Sequence, residues 1–230
     1  MRKKEIDGGK AFDWGRTSED YAKYRDIYPP VFYQKIAERN LCVRGQKALD
    51  LGTGTGVLPR NMYSYGARWI GTDLSEEQIA QAKRLTEEQG MKIRYLAAPA
   101  EDCDFPENEF DVVTACQCFW YFDYEKLTPV LSRILKRAGS FLMLYMAWLP
   151  YEDKIAAASE ELVLEYSPGW TGARETWNGR MKACRGVGAS LSSREIQEWE
   201  KRHRTLLEEI APEHFRIQHY AAMAELKPKR

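Results

Sequence analysis

Three observations predict an α/β fold with a doubly wound, mostly parallel sheet and helices on both faces. Between Lys47 and Tyr145, short apolar strands alternate five times with helical periodicity. The strands are almost continuously apolar, as strands buried on both faces must be. The first strand runs into a glycine turn, Gly52-Thr53-Gly54-Thr55-Gly56, where open α/β sheets hold their ligands. A chain of 230 residues with 44% hydrophobic content is long enough for one such domain, taken here as 1–230.

Each element has its own signal. Lys47–Leu51 is short, apolar and stopped by glycine, so it reads as the first strand. Residues 57–65 follow as a helix that Gly66 closes. Residues 68–72 form the second strand, and Ser75 with Gln78 caps a helix that carries Ile79, Ala82 and Leu85 to Gly90. Residues 92–97 and 110–114 make the third and fourth strands. Leu127, Val130, Leu131, Ile134 and Leu135 share one helical face, with Gly139 just beyond. Residues 141–145 complete the repeating core. On the flanks, 18–26, 30–39 and 151–166 read as helices, with Pro30 at a permissive first position. After a stretch rich in Gly and Trp, Ser192 and Glu195 cap a helix bearing Ile196, Trp199, His203, Leu206, Leu207 and Ile210. Residues 215–226 alternate as a sixth, terminal strand.

Charge and cysteine content narrow the partners. Lys plus Arg equals Asp plus Glu at 34 each, and no basic stripe stands out, so no nucleic-acid partner is expected. Five cysteines without zinc-type spacing read as reduced thiols of a cytoplasmic protein. The first twenty residues lack the apolar segment of a signal peptide. No apolar run approaches the ~20 residues that span a bilayer, so no membrane association is expected.

The spacing of the glycine turn selects among ligands. A dinucleotide site wants a third glycine at position 57, where this chain has Val57, and no Gly-Lys-Ser/Thr of a phosphate loop follows. Asp73 ends the second strand about twenty residues past the turn, where a carboxylate accepts hydrogen bonds from ribose hydroxyls. An acid at a strand end is also an ordinary neighbour of a helix start.

The ordered motifs resemble a known family. Ala48-Leu49-Asp50-Leu51-Gly52-Thr53-Gly54-Thr55-Gly56 is similar to motif I of class I S-adenosylmethionine-dependent methyltransferases. Gly71-Thr72-Asp73-Leu74-Ser75 is similar to their acidic motif. Ala100-Glu101-Asp102, Phe105-Pro106-Glu107-Asn108 and Phe110-Asp111-Val112-Val113 resemble the third region of the methyltransferase type 11 group. Gln117-Cys118-Phe119-Trp120-Tyr121-Phe122-Asp123 resembles the segment that follows the fourth strand there. The resemblance covers residues 46–147 and implies a Rossmann-like sheet of six to seven strands with S-adenosyl-L-methionine as cofactor. It implies that Gly52, Thr53, Gly54 and Gly56 face the methionine and ribose, in a site that also includes Asp50. Asp73 takes the ribose hydroxyls, Leu74 lies beside adenine, and Ala100 and Glu101 flank its edge through backbone groups. Gln117, with Cys116 beside it, lines the sulfonium end. Many relatives have Asp just before the Ala-Glu pair, whereas this chain has Pro99, so adenine recognition leans on neighbouring backbone.

Phe12-Asp13-Trp14-Gly15-Arg16 and Tyr21-Ala22-Lys23-Tyr24-Arg25 resemble relatives whose first helix covers the cofactor. Tyr21, Tyr24 and Arg25 are then candidates for the methionine carboxylate, which suits a guanidinium; a solvated helix face with aromatic packing is the equal alternative. This assigns 1–45 as a helical cover, 46–147 as the cofactor-binding core, 148–212 as an acceptor lid and helix, and 213–230 as the terminal strand.

Methyl transfer from a sulfonium is an in-line displacement from an activated donor. Alignment and exclusion of water supply on the order of 7 to 11 kcal/mol, and no base is obligatory unless the acceptor must lose a proton. No catalytic residue is therefore identified. Candidate acceptor contacts are Trp120, Tyr121, Tyr145 and Trp148 near strand ends, and Trp170, Trp177, Arg180 and Arg185 in the Gly-rich stretch. Core packing, or a surface loop, is the plain alternative for each. His203 reads as a packing histidine. His214 and His219 have no metal-type partners, and Cys116 and Cys118 read as buried thiols, so no metal is expected. The group normally carries seven strands where this sequence offers six, and relatives carry more residues around 174–177. The function expected is methyl transfer to a small-molecule acceptor, the group also including quinone and sterol methyltransferases. The alternatives are a non-catalytic cofactor-binding regulator and an RNA or protein methyltransferase. Val57 disfavours a nicotinamide oxidoreductase.

Overall fold

The structure, a computed structural model, describes residues 12–24, 28–166, 179–212, 215, 217 and 219–228. Six strands form one sheet: β1 (Lys47–Leu51), β2 (Arg68–Asp73), β3 (Arg94–Ala97), β4 (Phe110–Cys116), β5 (Leu135–Trp148) and β6 (His219–Leu226). Their order is β3-β2-β1-β4-β5-β6, and the pairs β1·β2, β1·β4, β2·β3 and β4·β5 are parallel. The chain moves outward from β1 through β2 to β3, then crosses back to place β4 on the other side of β1. The order therefore reverses between β1 and β4, and open α/β sheets bind their ligands at such a switch point, outside the carboxyl ends of the strands.

Alternation along the strands explains why both faces need covering. Leu49, Leu51, Val113 and Ala115 pack with Leu127 and Ile134 of α5 (Tyr124–Ile134) on one face. Ala48 and Val112 pack with Phe32, Tyr33 and Ile36 of α2 (Pro30–Glu38) on the other. Two compact units divide the chain: one is drawn from Met1–Asp26 and Met146–Tyr220, the other from Ile27–Tyr145 and Ala221–Arg230.

In the first unit, α1 (Ser18–Tyr24), α6 (Lys154–Tyr166), α7 (Gly179–Lys182) and α8 (Ser193–Ile210) enclose their own core. Trp148, Val163, Met181, Leu191 and Trp199 are among its buried residues. The capping box of Ser192 and Glu195 starts α8 as the sequence predicts. His203 is fully buried, stacks on Trp199 at 4.6 Å and pairs its Nε2 with Ser159 Oγ at 3.0 Å. Burial, with Arg204 nearby, pushes its pKa down to about 4, so it packs as a neutral imidazole. Lys182 ties the helices by ion pairs to Asp20 and Glu200, each at 3.4 Å.

Two elements depart from the sequence expectation. The helix expected over 57–65 divides into α3 (Val57–Asn61) and a 3-10 turn at Tyr63–Tyr65, still closed by Gly66 at φ 90°. Leu135 belongs to β5, not to the preceding helix: its N–H still bonds Leu131 O, but its ψ of 137° is extended and it pairs with Phe110. Its side chain enters the same core, so burial alone does not distinguish the two conformations. The ladder next resumes at Val112↔Ser140, leaving 136–139 as a bulge from which Lys136 reaches both oxygens of Asp111. The sequence offers no strand between the fifth and the terminal one; among the described residues none lies between β5 and β6, and 174–177 fall outside them.

Candidate cofactor site

The site begins where β1 runs out. Leu51 pairs with Thr72 on one side and Ala115 on the other, and the next residues turn over the sheet's carboxyl edge. Gly52, Gly54 and Gly56 have φ values of 63°, 54° and 75°, in the left-handed region that glycine adopts without a Cβ penalty. Three hydrogen bonds fix the turn. Thr53 N–H extends the ladder to Thr72 O at 2.8 Å, Gly56 N–H returns to Thr53 O at 2.9 Å, and Gly54 N–H donates to Asp73 Oδ2 at 2.9 Å.

Asp73 works in two directions. Its other oxygen, Oδ1, accepts from Ser75 N–H at 3.0 Å, and Ser75 caps α4 (Glu76–Glu88) through Gln78 N–H. One carboxylate thus clasps the glycine turn to the start of the next helix. Burial raises its pKa, and hydrogen bonds from the Ser75, Gly54 and Leu74 backbone oppose the rise. Beside it in sequence, Leu74 is an apolar side chain left 51% exposed.

Asp50 lies beneath the turn, buried, and accepts a hydrogen bond from Thr114 Oγ1 at 2.6 Å. Burial pushes its pKa up to about 7; the hydrogen bond from Thr114 and the nearby Thr53 hydroxyl act against this, and the charge of Asp73 adds to it. Between its ordinary value of 3.8 and about 7, the folded chain holds a proton that the unfolded chain has released. Stability from this group is therefore complete below pH ~4 and declines as pH rises to ~7. Asp50→Asn is expected to abolish that decline. The check is the difference in melting temperature between wild type and variant across pH 4.5–8, because groups common to both, such as His203, cancel. Parallel curves would show that Asp50 does not titrate in this window.

Beyond β4 the chain turns sharply at Gln117, whose φ is 63° and whose N–H bonds Leu144 O at 2.9 Å. A left-handed non-glycine residue costs roughly 1–2 kcal/mol and marks a site that other contacts hold in place. Cys116 Sγ lies 3.5 Å from Tyr28 Oη, a neighbour that sequence spacing does not reveal. Cys118 Sγ donates to Leu51 O at 3.1 Å, and burial raises its pKa well above the ordinary value, so it is a thiol. Ala100 is buried at the start of a 3-10 turn, and Glu101 Oε1 accepts Asp123 N–H at 2.7 Å, tying that turn to α5. No cluster of potential metal ligands occurs among the described residues.

Trp120 meets Tyr145 edge-on at 5.4 Å and Tyr121 at 5.6 Å. All the predicted cofactor contacts from Asp50 to Gln117, together with these three rings, belong to the second unit. Tyr21 and Tyr24 lie on α1 of the first unit, where Tyr21 meets Trp14 edge-on and Lys23 sits over the Tyr24 ring. Trp148 is buried in the core of the first unit, where it meets His219 edge-on, the packing environment the sequence left open beside an acceptor contact. Arg185 is buried over the Phe12 ring at 5.7 Å. Arg25, Trp170, Trp177 and His214 lie outside the described residues, as does the side chain of Arg180.

Residues 49–143 match the family described as Methyltransferase domain. A demethylmenaquinone methyltransferase from Thermus thermophilus is 37% identical over 102 residues, which are 43% of this chain and 46% of the relative. A ubiquinone biosynthesis O-methyltransferase from Pseudomonas syringae pv. tomato is 32% identical over 162 residues, covering 69% of this chain and 68% of the relative. The solved YcgJ protein from Bacillus subtilis aligns with a TM-score of 0.48 at 21% identity, over 75% of this chain and 67% of that one. The chain belongs to the methyltransferase domain family, within class I, whose cofactor is S-adenosylmethionine. It spans about half the length of the first curated relatives it matches.

The residues present fit that cofactor. Asp73 accepts Gly54 N–H on one oxygen and Ser75 N–H on the other, with the Leu74 backbone also acting on it; a carboxylate has about four acceptor positions, so a hydroxyl donor can still be accommodated. An exposed leucine next to the acid offers a flat base an apolar contact.

Proposed function

We propose that this chain binds S-adenosylmethionine over β1 and β4 and transfers its methyl group to a small-molecule acceptor. The observation that carries the reading is the clasp between Gly54 N–H and Asp73, which joins a glycine turn to an acid at the sheet's switch point. The cofactor supplies a methyl group already activated on sulfur. Asp73 accepts the ribose hydroxyls and Leu74 packs on the adenine, with the Ala100 and Glu101 backbone at its edge. Asp50, Gly52, Thr53, Gly54 and Gly56 shape the floor under the ribose and methionine, and Cys116 and Gln117 border the sulfonium end.

Two relatives are named for small quinone-pathway acceptors, which supports a small molecule over a macromolecule. The balanced charge supports the same choice. No described helix is long and apolar enough to cross a membrane, and a cytoplasmic location accords with five cysteines present as thiols. Titration calorimetry is expected to give dissociation constants on the order of 1–100 μM for S-adenosylmethionine and S-adenosylhomocysteine and none measurable for NAD. Folded protein that binds neither sulfur compound would overturn the proposal.

A further inference from the structure

The segment after β4 separates its aromatic residues by direction. Phe119 stacks on Tyr124 at 4.8 Å and packs on the core, and Phe122 is buried. Trp120, between them in sequence, is left 36% exposed. The pairing Cys116↔Leu144 puts Tyr145 level with Gln117, and Leu51↔Ala115 puts Gly52 level with Cys116. Two strand spacings, roughly 10 Å, therefore separate Tyr145 from the glycine turn along the same carboxyl edge. This is about the width of one small ring system.

The cluster is a surface rather than a cage. Trp120 and Tyr145 meet edge to face at 5.4 Å and 83°, too close to admit a ligand between them. A cation box needs rings set apart around a central point; here the rings support one another, and part of the indole is still exposed. Residues 116–122, Cys-Gln-Cys-Phe-Trp-Tyr-Phe, contain no Asp, Glu, Lys, Arg or His. The nearest acid in sequence, Asp123, turns its carboxylate back to cap α5. We propose that Trp120, braced by Tyr145 and Tyr121, is the platform on which the acceptor lies, and that the acceptor is an uncharged molecule with a flat ring. This rests on the methyltransferase reading above and assigns its substrate class.

The test uses matched probes on the full chain: 2-naphthol, its saturated counterpart decahydro-2-naphthol, and the anionic 3-hydroxy-2-naphthoate. Binding is followed by saturation-transfer NMR and titration, with and without S-adenosylhomocysteine. 2-Naphthol is expected to bind about tenfold more tightly than the saturated alcohol, as one or two ring contacts would give, and to outcompete the anion. Trp120→Ala and Tyr145→Leu should remove that preference, whereas Tyr145→Phe, which keeps the ring, should retain it. S-Adenosylhomocysteine affinity, measured by calorimetry, should be unchanged in Trp120→Ala. Equal affinity for flat and saturated probes, preference for the anion, or a preference that survives Trp120→Ala would each overturn the proposal. Loss of cofactor binding in wild type would instead overturn the underlying reading, and ring binding measured without cofactor keeps the two failures apart.

Discussion

Asp73→Ala is expected to weaken S-adenosylmethionine binding at least tenfold, on the order of 1.4 kcal/mol, and to lower the melting temperature as well. Two losses combine. The ligand loses a charged acceptor for its hydroxyls, and the protein loses the acceptor for Gly54 N–H and Ser75 N–H. A buried donor left without a partner costs about 1–3 kcal/mol, so the turn loosens even without ligand. Asp73→Asn separates the two effects, because its amide oxygen still accepts one backbone N–H while the charge is gone. Stability should then recover further than affinity. Calorimetry and thermal melts on the three proteins decide the matter. Full affinity in folded Asp73→Ala would remove Asp73 from the ligand site and leave the clasp as a feature of the fold alone.

What the sequence made legible follows the range of the interactions involved. The glycine turn, Asp73 and the caps at Ser75 and Ser192 are local, their partners lying within about twenty residues, and spacing alone exposes them. The parallel sheet is legible too, because strands that alternate with helices are joined by crossovers and buried on both faces; the order of the strands is not. Contacts between distant segments are not. Nothing in the spacing joins Cys116 to Tyr28, 88 residues away, or commits the Glu101 carboxylate to Asp123 N–H. Trp148 shows the same limit from the other side: an aromatic residue at a strand end looks alike in sequence whether it lines a pocket or fills a core. The left-handed turn at Gln117 carries no sequence signal, since glutamine ordinarily avoids that conformation.

Gly52 is where a motif residue and a distant contact meet, and its substitution should be severe. A Cβ on Gly52 would sit 2.7 Å from Cys118 Sγ and 3.1 Å from Cys118 Cβ, at a backbone φ of 63°. Overpacking typically costs 1–3 kcal/mol and the left-handed backbone about 1–2 kcal/mol more, so Gly52→Ala should lose roughly 2–5 kcal/mol. Cys118 cannot easily retreat, because its thiol is bonded to Leu51 O at 3.1 Å on the strand that leads into the turn. Adding Cys118→Ala removes the sulfur but not the Cβ or the backbone strain. The double variant should therefore regain part of the loss, with a coupling of about 0.5–3 kcal/mol in a double-mutant cycle. Denaturant melts of the four proteins measure it. Zero coupling would mean that backbone strain alone demands glycine at position 52. A positive coupling would mean that the first glycine of the motif is kept to let β4's following segment close over β1, and that ligand approach falls to Gly54, whose N–H the acid already holds.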